Sequence, residues 1–381
     1  MTGPAPMDHL PRRDFLRLTS HGTVAIAVGG ASLVLAACDP VDLAPPDVSG
    51  LRLHPFFTSR VIATTGEKVA GTDHTWHTNP DGGACFPMAG GGWTYVSNSE
   101  SLPGGVGFVR FGPDGAIVGA GSSLTGSIGN CAGGATPWGT WLSCEEWFGG
   151  RVWECDPTGA TPAVVRGAMG LFTHEAAAAD PVNEVVYLTE DRPDGALYRF
   201  VPDVWGDLSS GDLQVLTDTA GTLSWQLVPD PDGNPTPTKD QVAGTVRFDG
   251  GEGAAMTEGR LAFSTKGDGR VWLYDPAADS LDIVYEAGVQ AGALTNVDNV
   301  ATSTSGVIYV AEDGGDLQLV LVREDGSTFP VLQLTGVPGT EITGPAFNPA
   351  GDRLYFSSQR NPGRTYEVRG PWAAFTEPGP L

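Results

Sequence analysis

A short apolar strand that ends in small polar and acidic residues occurs six times in this 381-residue chain, and no other feature limits its folding as severely. The copies are Tyr95-Val96-Ser97-Asn98-Ser99-Glu100, Trp141-Leu142-Ser143-Cys144-Glu145-Glu146, Val186-Tyr187-Leu188-Thr189-Glu190-Asp191, Ala262-Phe263-Ser264-Thr265-Lys266, Ile308-Tyr309-Val310-Ala311-Glu312-Asp313 and Tyr355-Phe356-Ser357-Ser358-Gln359. Their last residues are spaced by 46, 45, 75, 47 and 46 positions, and the long step coincides with a Pro/Gly/Asp-rich insertion at about 202–238. After most copies come a turn and a second strand, as in 150–157, 195–202 and 269–276. A hairpin about every 45 residues is the period of one four-stranded propeller blade. With 54 glycines, 30 prolines and no long apolar stretch of helical period, the predicted fold is all-β, a six-bladed β-propeller over residues 51–381.

Radial packing has a chemical consequence, because equivalent strand ends meet around one axis. The converging set would hold Asn98, Glu100, Glu145, Glu146, Glu190, Asp191, Lys266, Glu312, Asp313 and Gln359. So many carboxylates repel one another unless cations sit between them, so a metal site at the central channel is expected. A second phase of the repeat places Cys85, Cys131, Glu175, Glu252, Asp298 or Asn299, and Gly344 about 14 to 16 positions ahead of each strand end, where loops of a rigid scaffold present ligands.

The stretch from Asn130 to Glu146 concentrates this chemistry, joining Cys131, a glycine-rich turn and two carboxylates. On the residues alone Cys131 is open between a metal thiolate and a buried structural thiol or disulfide half. His174-Glu175 is equally consistent with a satisfied core pair, and the glycines around Glu252 with a plain turn. No nucleophile-elbow glycine pattern accompanies His54, His74, His77 or His174, so a Ser/His/Asp hydrolase is a poor reading.

Residues 1–37 read as an export signal, with Arg12-Arg13 ahead of an apolar run from Thr23 to Ala37 that is too short for a permanent membrane helix. The paired arginines point to the twin-arginine translocon, which exports folded proteins. Leu35-Ala36-Ala37-Cys38 closes the run as a lipobox, so a lipid anchor on Cys38 and a tether over residues 38–50 are expected. The predicted location is therefore periplasmic or at the cell surface, as a monomer. The formal charge is −24 overall and −25 beyond residue 37, because residues 1–37 hold three arginines and two aspartates; a basic footprint for nucleic acid is excluded. An oxidising compartment would permit disulfides, and Cys144 with Cys155 is the favoured pair.

These motifs resemble the PhoX alkaline phosphatases, twin-arginine-exported six-bladed propellers. The likeness is carried in order by NCAGG-TPWGTWLSCEE, THEA, YLTEDR, LYRFVP, GGEGA, VWLYDP, VDN with VAEDG, and FNPAGDRLYFSSQ with NPG and GPW, from about Gly83 to Trp372. The resemblance implies a phosphoester hydrolase with two ferric ions, bridged by a cysteine thiolate and an oxo group, and two or three calcium ions. By the same resemblance Cys131 bridges the irons, Glu146 and Glu175 ligate iron or span iron and calcium, and Asp191, Glu252 and Asp298 or Asp313 complete the calcium shell. Asn98 would sit near the phosphate, and Asn98, Cys131 and Glu252 would form the catalytic group. No side-chain nucleophile is required, since clustered cations clamp the phosphoryl oxygens.

The chain departs from the family at two places, the first being that Asn98 is followed by Ser99-Glu100 where the family tends to have His-Glu, and the second bearing directly on the phosphate. An arginine that grips phosphate there corresponds to Gly250 here, and losing a bidentate contact costs about 2 to 4 kcal/mol of transition-state stabilisation. Lys266, Arg192 and Arg360 are the substitutes available. The competing readings are a non-catalytic calcium-binding propeller serving as an envelope scaffold, and a lactonase-like propeller with one calcium, against which Cys131 argues.

Overall fold

In the computed structural model, the described residues are 43–290, 294–303 and 305–373, together with the backbone of a separate antiparallel hairpin, Thr23–Val28 with Ala31–Ala36. Arg12, Arg13 and Cys38, on which the export and anchoring expectations rest, lie outside them. No helix among the described residues is long and apolar enough to cross a membrane.

Six sheets follow one another along the chain, as the repeat predicts. Their innermost strands are Pro80–Pro87, Asn130–Ala135, His174–Asp180, Gly251–Thr257, Val297–Thr302 and Ile342–Phe347 for blades 1 to 6, each in contact with the next and the last with the first. The second strands are the six sequence repeats, Trp93–Ser99, Trp141–Glu145, Val185–Glu190, Arg260–Thr265, Ile308–Glu312 and Arg353–Ser358. Covered on both faces by neighbouring blades, they are buried almost throughout, which is why they read as unbroken apolar runs rather than alternating ones. Each also buries at least one aromatic ring: Trp93 and Tyr95, Trp141, Tyr187, Phe263, Tyr309, or Tyr355 and Phe356.

Two departures from expectation concern the outer parts. The insertion after Pro202 is largely strand: Asp207–Thr219 and Thr222–Leu227 form the fourth and fifth strands of blade 3. Cys144 and Cys155 are not paired. Cys144 lies opposite Val152, whereas Cys155 lies opposite Trp141, and their side chains enter different cores, so both thiols are free.

The ring is closed by the N-terminal part of the propeller. Leu51–Leu53 adds the outermost strand to blade 5, and Thr58–Thr64 the outermost strand to blade 6.

At the axis the inner strands are Gly/Ala-rich because they nearly touch. A Cβ on Gly134 would lie 1.7 Å from the Ala177 carbonyl oxygen, and one on Gly253 2.2 Å from the Val300 nitrogen. This close approach leaves only about 30 Å³ of free channel among Gly82, Ala132, Ala176, Gly253, Asn299 and Gly344.

Candidate metal centre

One end of the channel is built from two stacked rings of side chains, and a backbone hydrogen bond repeated in every blade sets their register. The residue after each second strand donates its N–H to the carbonyl two positions ahead of a fixed inner-strand residue. The six bonds, Glu100 to Asn79, Glu146 to Gly129, Asp191 to Thr173, Lys266 to Gly250, Asp313 to Asn296 and Gln359 to Glu341, span 2.8 to 3.2 Å. The outer ring is thus Glu100, Glu146, Asp191, Lys266, Asp313 and Gln359, and the inner ring Asp81, Cys131, Glu175, Glu252, Asp298 and Thr343. Just past each donor the strand pairing shifts register, a bulge that re-aims a side chain toward the axis.

Among the described residues three overlapping ligand groups result, each with donor atoms within 4.8 Å of one another: Cys131, Glu146 and Glu175; Glu175, Glu252 and Asp298; Asp298, Asp313 and Glu341. Glu175 and Asp298 belong to two groups each, so the set runs as one continuous band from blade 2 to blade 6. Glu175 is fully enclosed, and neither carboxylate oxygen has a hydrogen-bond partner, a loss of about 1 to 3 kcal/mol or more that a bound cation would remove. Thiolate beside carboxylates suits iron, and the all-oxygen groups suit calcium, so the residues fit the ions that the family resemblance implies.

The electrostatics agree with that fit. Burial, then Glu146 and Asp81, push the Glu175 carboxyl well above its usual range, and burial with Asp298 does the same to Glu252. The Glu146 carboxyl is pushed up to about 7 by burial and by Asp191 and Glu100. Burial and the charges of Asp81, Glu175 and Glu146 raise the Cys131 thiol well above its ordinary value, so a thiolate forms there only against a cation.

Several predicted residues fall elsewhere. Cys85 is not a member of the inner ring; it packs in a core beside Tyr95, and Asp81 holds the equivalent place. Glu145, Glu190 and Glu312 sit one residue before the outer ring, so strand alternation turns them away from the axis. They staple loops instead: Glu145 accepts from the N–H groups of Ile128 and Arg151, Glu190 from Ala196, and Glu312 from Thr295 and Gln318. Asn299 accepts the Gly344 N–H at 2.8 Å, leaving Asp298 as the ligand of that pair. His174 is a core residue, its Nε2 3.0 Å from the Gly170 oxygen and its ring neutral at neutral pH, with a pKa lowered to about 4 by burial. His77 reaches Ser97 Oγ at 3.3 Å, but Ser97 is wholly enclosed, so the serine hydroxyl is not presented to a substrate.

Asn98 is also corrected. Its amide donates to the carbonyls of Cys131 and Ala132 at 2.8 and 2.6 Å and accepts from Trp141 Nε1 and Ser143 Oγ, each at 2.8 Å. With every bond spent, Asn98 holds the Cys131 loop and offers nothing to a phosphate. Asn98→Ala removes four hydrogen bonds and strands the buried Ala132 carbonyl and Trp141 Nε1, and is expected to lower stability by about 3 to 5 kcal/mol in metal-free protein, read as a fall in Tm. A variant with unchanged Tm and only a raised KM would restore the substrate-contact role.

Of the basic side chains, Lys266 stands 2.6 Å from Glu252 Oε1, and Arg360 pairs with Glu341 at 2.7 Å and Glu100 at 3.7 Å. Arg192 is exposed and forms none of the ion pairs among the described residues; its carbonyl accepts the Gly250 N–H at 2.9 Å. Sequence reasoning missed Asp81 and Glu341. A cavity of about 610 Å³ between blades 1 and 6 lies at the far end of the strand that begins at Pro80 and contains none of the ring residues.

A family model described as "Alkaline phosphatase PhoX" matches residues 115–158 and 148–363. Among solved structures, Pseudomonas fluorescens PhoX in complex with vanadate, a transition state analogue, is similar with a TM-score of 0.70 at 16% identity, covering 86% of this chain and 97% of that one. A gluconolactonase from Xanthomonas campestris is similar with a TM-score of 0.54 at 14% identity, covering 93% and 99%. A putative gluconolactonase is similar with a TM-score of 0.51 at 15% identity, covering 87% and 97%. At these identities the structural likenesses speak to the fold. No curated protein matches in sequence.

Proposed function

The chain belongs to the PhoX alkaline phosphatase family, and from that premise we propose that it is a metal-dependent phosphatase releasing phosphate from organic phosphoesters outside the cytoplasm. The observation that carries this reading is the continuous ligand band from Cys131 to Glu341, with the unpartnered Glu175 carboxylate at its heart. Cys131, Glu146 and Glu175 would hold ferric iron; Glu175, Glu252, Asp298, Asp313 and Glu341 would hold calcium, with Asp191 beside them. Bound there, the ions supply electrostatic stabilisation of the phosphoryl oxygens and an activated oxygen nucleophile.

The protein's own contribution is placement and exclusion. Inner strands too close to admit side chains hold the ligands rigidly, and the small residues below them close the channel to water. Arg192, next to Gly250 and without an ion pair, is the basic side chain able to turn toward a phosphate where the family's arginine is missing. Lys266 and Arg360 lie at the same mouth but are already engaged by carboxylates. Arg12-Arg13 and the Leu35–Cys38 lipobox support export through the twin-arginine translocon and a lipid anchor. We take the working form to be a monomer.

The test is hydrolysis of 4-nitrophenyl phosphate and of a diester analogue by full-length protein loaded with iron and calcium. Turnover lost on chelation and on Arg192→Ala supports the reading. Calcium-stabilised folding with no turnover on either substrate would leave the scaffold reading in its place.

A further inference from the structure

Five of the six outer-ring positions carry an acid or an amide, and one carries a base. That residue, Lys266, keeps a solvent-exposed side chain, but its ammonium is drawn in among carboxylates: Nζ is 2.6 Å from Glu252 Oε1, 3.7 Å from Asp191 Oδ2 and 4.0 Å from Asp313 Oδ2. The three carboxylates come from blades 3, 4 and 5, so the ammonium bridges neighbouring blades as an ion would.

The space it uses is opened by Gly250. That residue has a left-handed φ of +72°, a conformation side chains rarely adopt, and a Cβ there would lie 3.1 Å from Asp191 Oδ1 and 3.7 Å from Lys266 Cβ. A long side chain at residue 250 would compete with Lys266 for the same room. An ammonium is a compact point charge with three donors, well suited to three converging carboxylates but carrying half the charge of calcium.

We propose that Lys266 is a built-in cation, its ammonium standing between Glu252, Asp191 and Asp313 in place of a divalent ion, so that this chain completes its centre with one calcium fewer than a lysine-free ring would hold. The proposal rests on the metal reading above. It assigns Asp191, which belongs to none of the three ligand groups, to the lysine, and it leaves the Glu252 and Asp313 oxygens that face away from Nζ to the ions.

The test counts calcium. Chelator-stripped full-length protein is titrated with calcium by calorimetry beside Lys266→Met, with elemental analysis of the saturated forms. The variant is expected to take up one additional calcium per chain, or to bind its weakest calcium about tenfold more tightly once the competing charge is gone. The same number and affinity as the parent, or the loss of a calcium, overturns the proposal. Should Lys266→Met fail to fold, amine labelling of the parent is read by mass spectrometry at Lys68, Lys239 and Lys266, its only lysines. Labelling of Lys266 should be unchanged from zero to millimolar calcium; a steep rise would show that calcium evicts the ammonium, and would overturn the proposal. Neither arm reads hydrolysis. An inactive enzyme would therefore refute the phosphatase reading while leaving the calcium count to decide the role of Lys266.

Discussion

Cys131→Ala is expected to abolish iron retention and phosphoester hydrolysis together, lowering kcat by at least about 1,000-fold, the scale seen when one central element of a preorganised electrostatic site is removed. The thiol sits among Glu146, Glu175 and Asp81, whose charges and whose enclosure hold it protonated whenever no cation is present. Its ionised form is therefore a property of the loaded centre alone, and alanine removes the one soft donor in a band of carboxylates. Metal-free Cys131→Ala should keep a Tm within a few degrees of the parent, since alanine removes a single sulfur and leaves the Asn98 bonds to the backbone of residues 131 and 132 intact. Elemental analysis and turnover of the same preparation check the claim. Retention of both iron and activity would end the thiolate's assignment, and a collapse of the metal-free fold would recast Cys131 as a packing residue.

The second large effect concerns acid and the metal-free state. Glu146, with a carboxyl raised from 4.5 to about 7, and Glu175, Glu252 and Asp81, raised well above their usual range, all bind protons more tightly folded than unfolded. Groups of this sign lend stability that is complete below about 4.5 and lost as the pH climbs through the folded value. Chelator-treated protein should therefore lose Tm steadily from about pH 5 to about pH 8, with Glu146 alone accounting for about 3 kcal/mol at roughly 1.4 kcal/mol per unit. Metal reverses the slope, because ions compete with those protons and bind better as they leave. Glu175→Gln separates the two roles: higher Tm without metal at about pH 8, and weaker binding of both iron and calcium, since Glu175 belongs to two ligand groups. A chelated protein whose Tm is flat or rising over that range would contradict the buried-acid account.

The sequence revealed the architecture because it repeats, and the site only as far as the repeat could be aligned. The second strands are conspicuous, being apolar on both faces and closed by acid, so Glu146, Asp191, Lys266 and Asp313 could be placed at the axis by counting. Glu145, Glu190 and Glu312 were legible in principle, since alternation along a strand sends adjacent residues to opposite faces. The inner strands are harder to read: Gly/Ala-rich, short and bulged, they have no apolar rhythm to set a register. Counting from the strand ends therefore points to Cys85, whereas the slot belongs to Asp81, four residues earlier. Glu341 was missed because blades 1 to 5 carry their axial donors on the inner strand or just after the second strand, whereas this carboxylate sits at the level of Gly250, a position elsewhere filled by small or amide side chains. Asn98 stands two residues short of its repeat's end, among polar residues like a ligand, but spends its amide protons on the backbone of the neighbouring blade.

The way the circle is fastened sets a timetable for maturation. Cys131, Glu146 and Glu175 come from adjacent blades and meet as soon as that third of the polypeptide has folded, whereas Glu341 precedes a sheet whose outer edge is Thr58–Thr64, some 280 residues upstream. A ribosome-bound chain could thus shape the thiolate end of the band but not the end containing Asp298, Asp313 and Glu341. Deleting Arg364–Arg369, the last strand among the described residues, would unlatch Thr58–Thr64 from its seat, and the vulnerable end of the band would be the one farthest from Cys131.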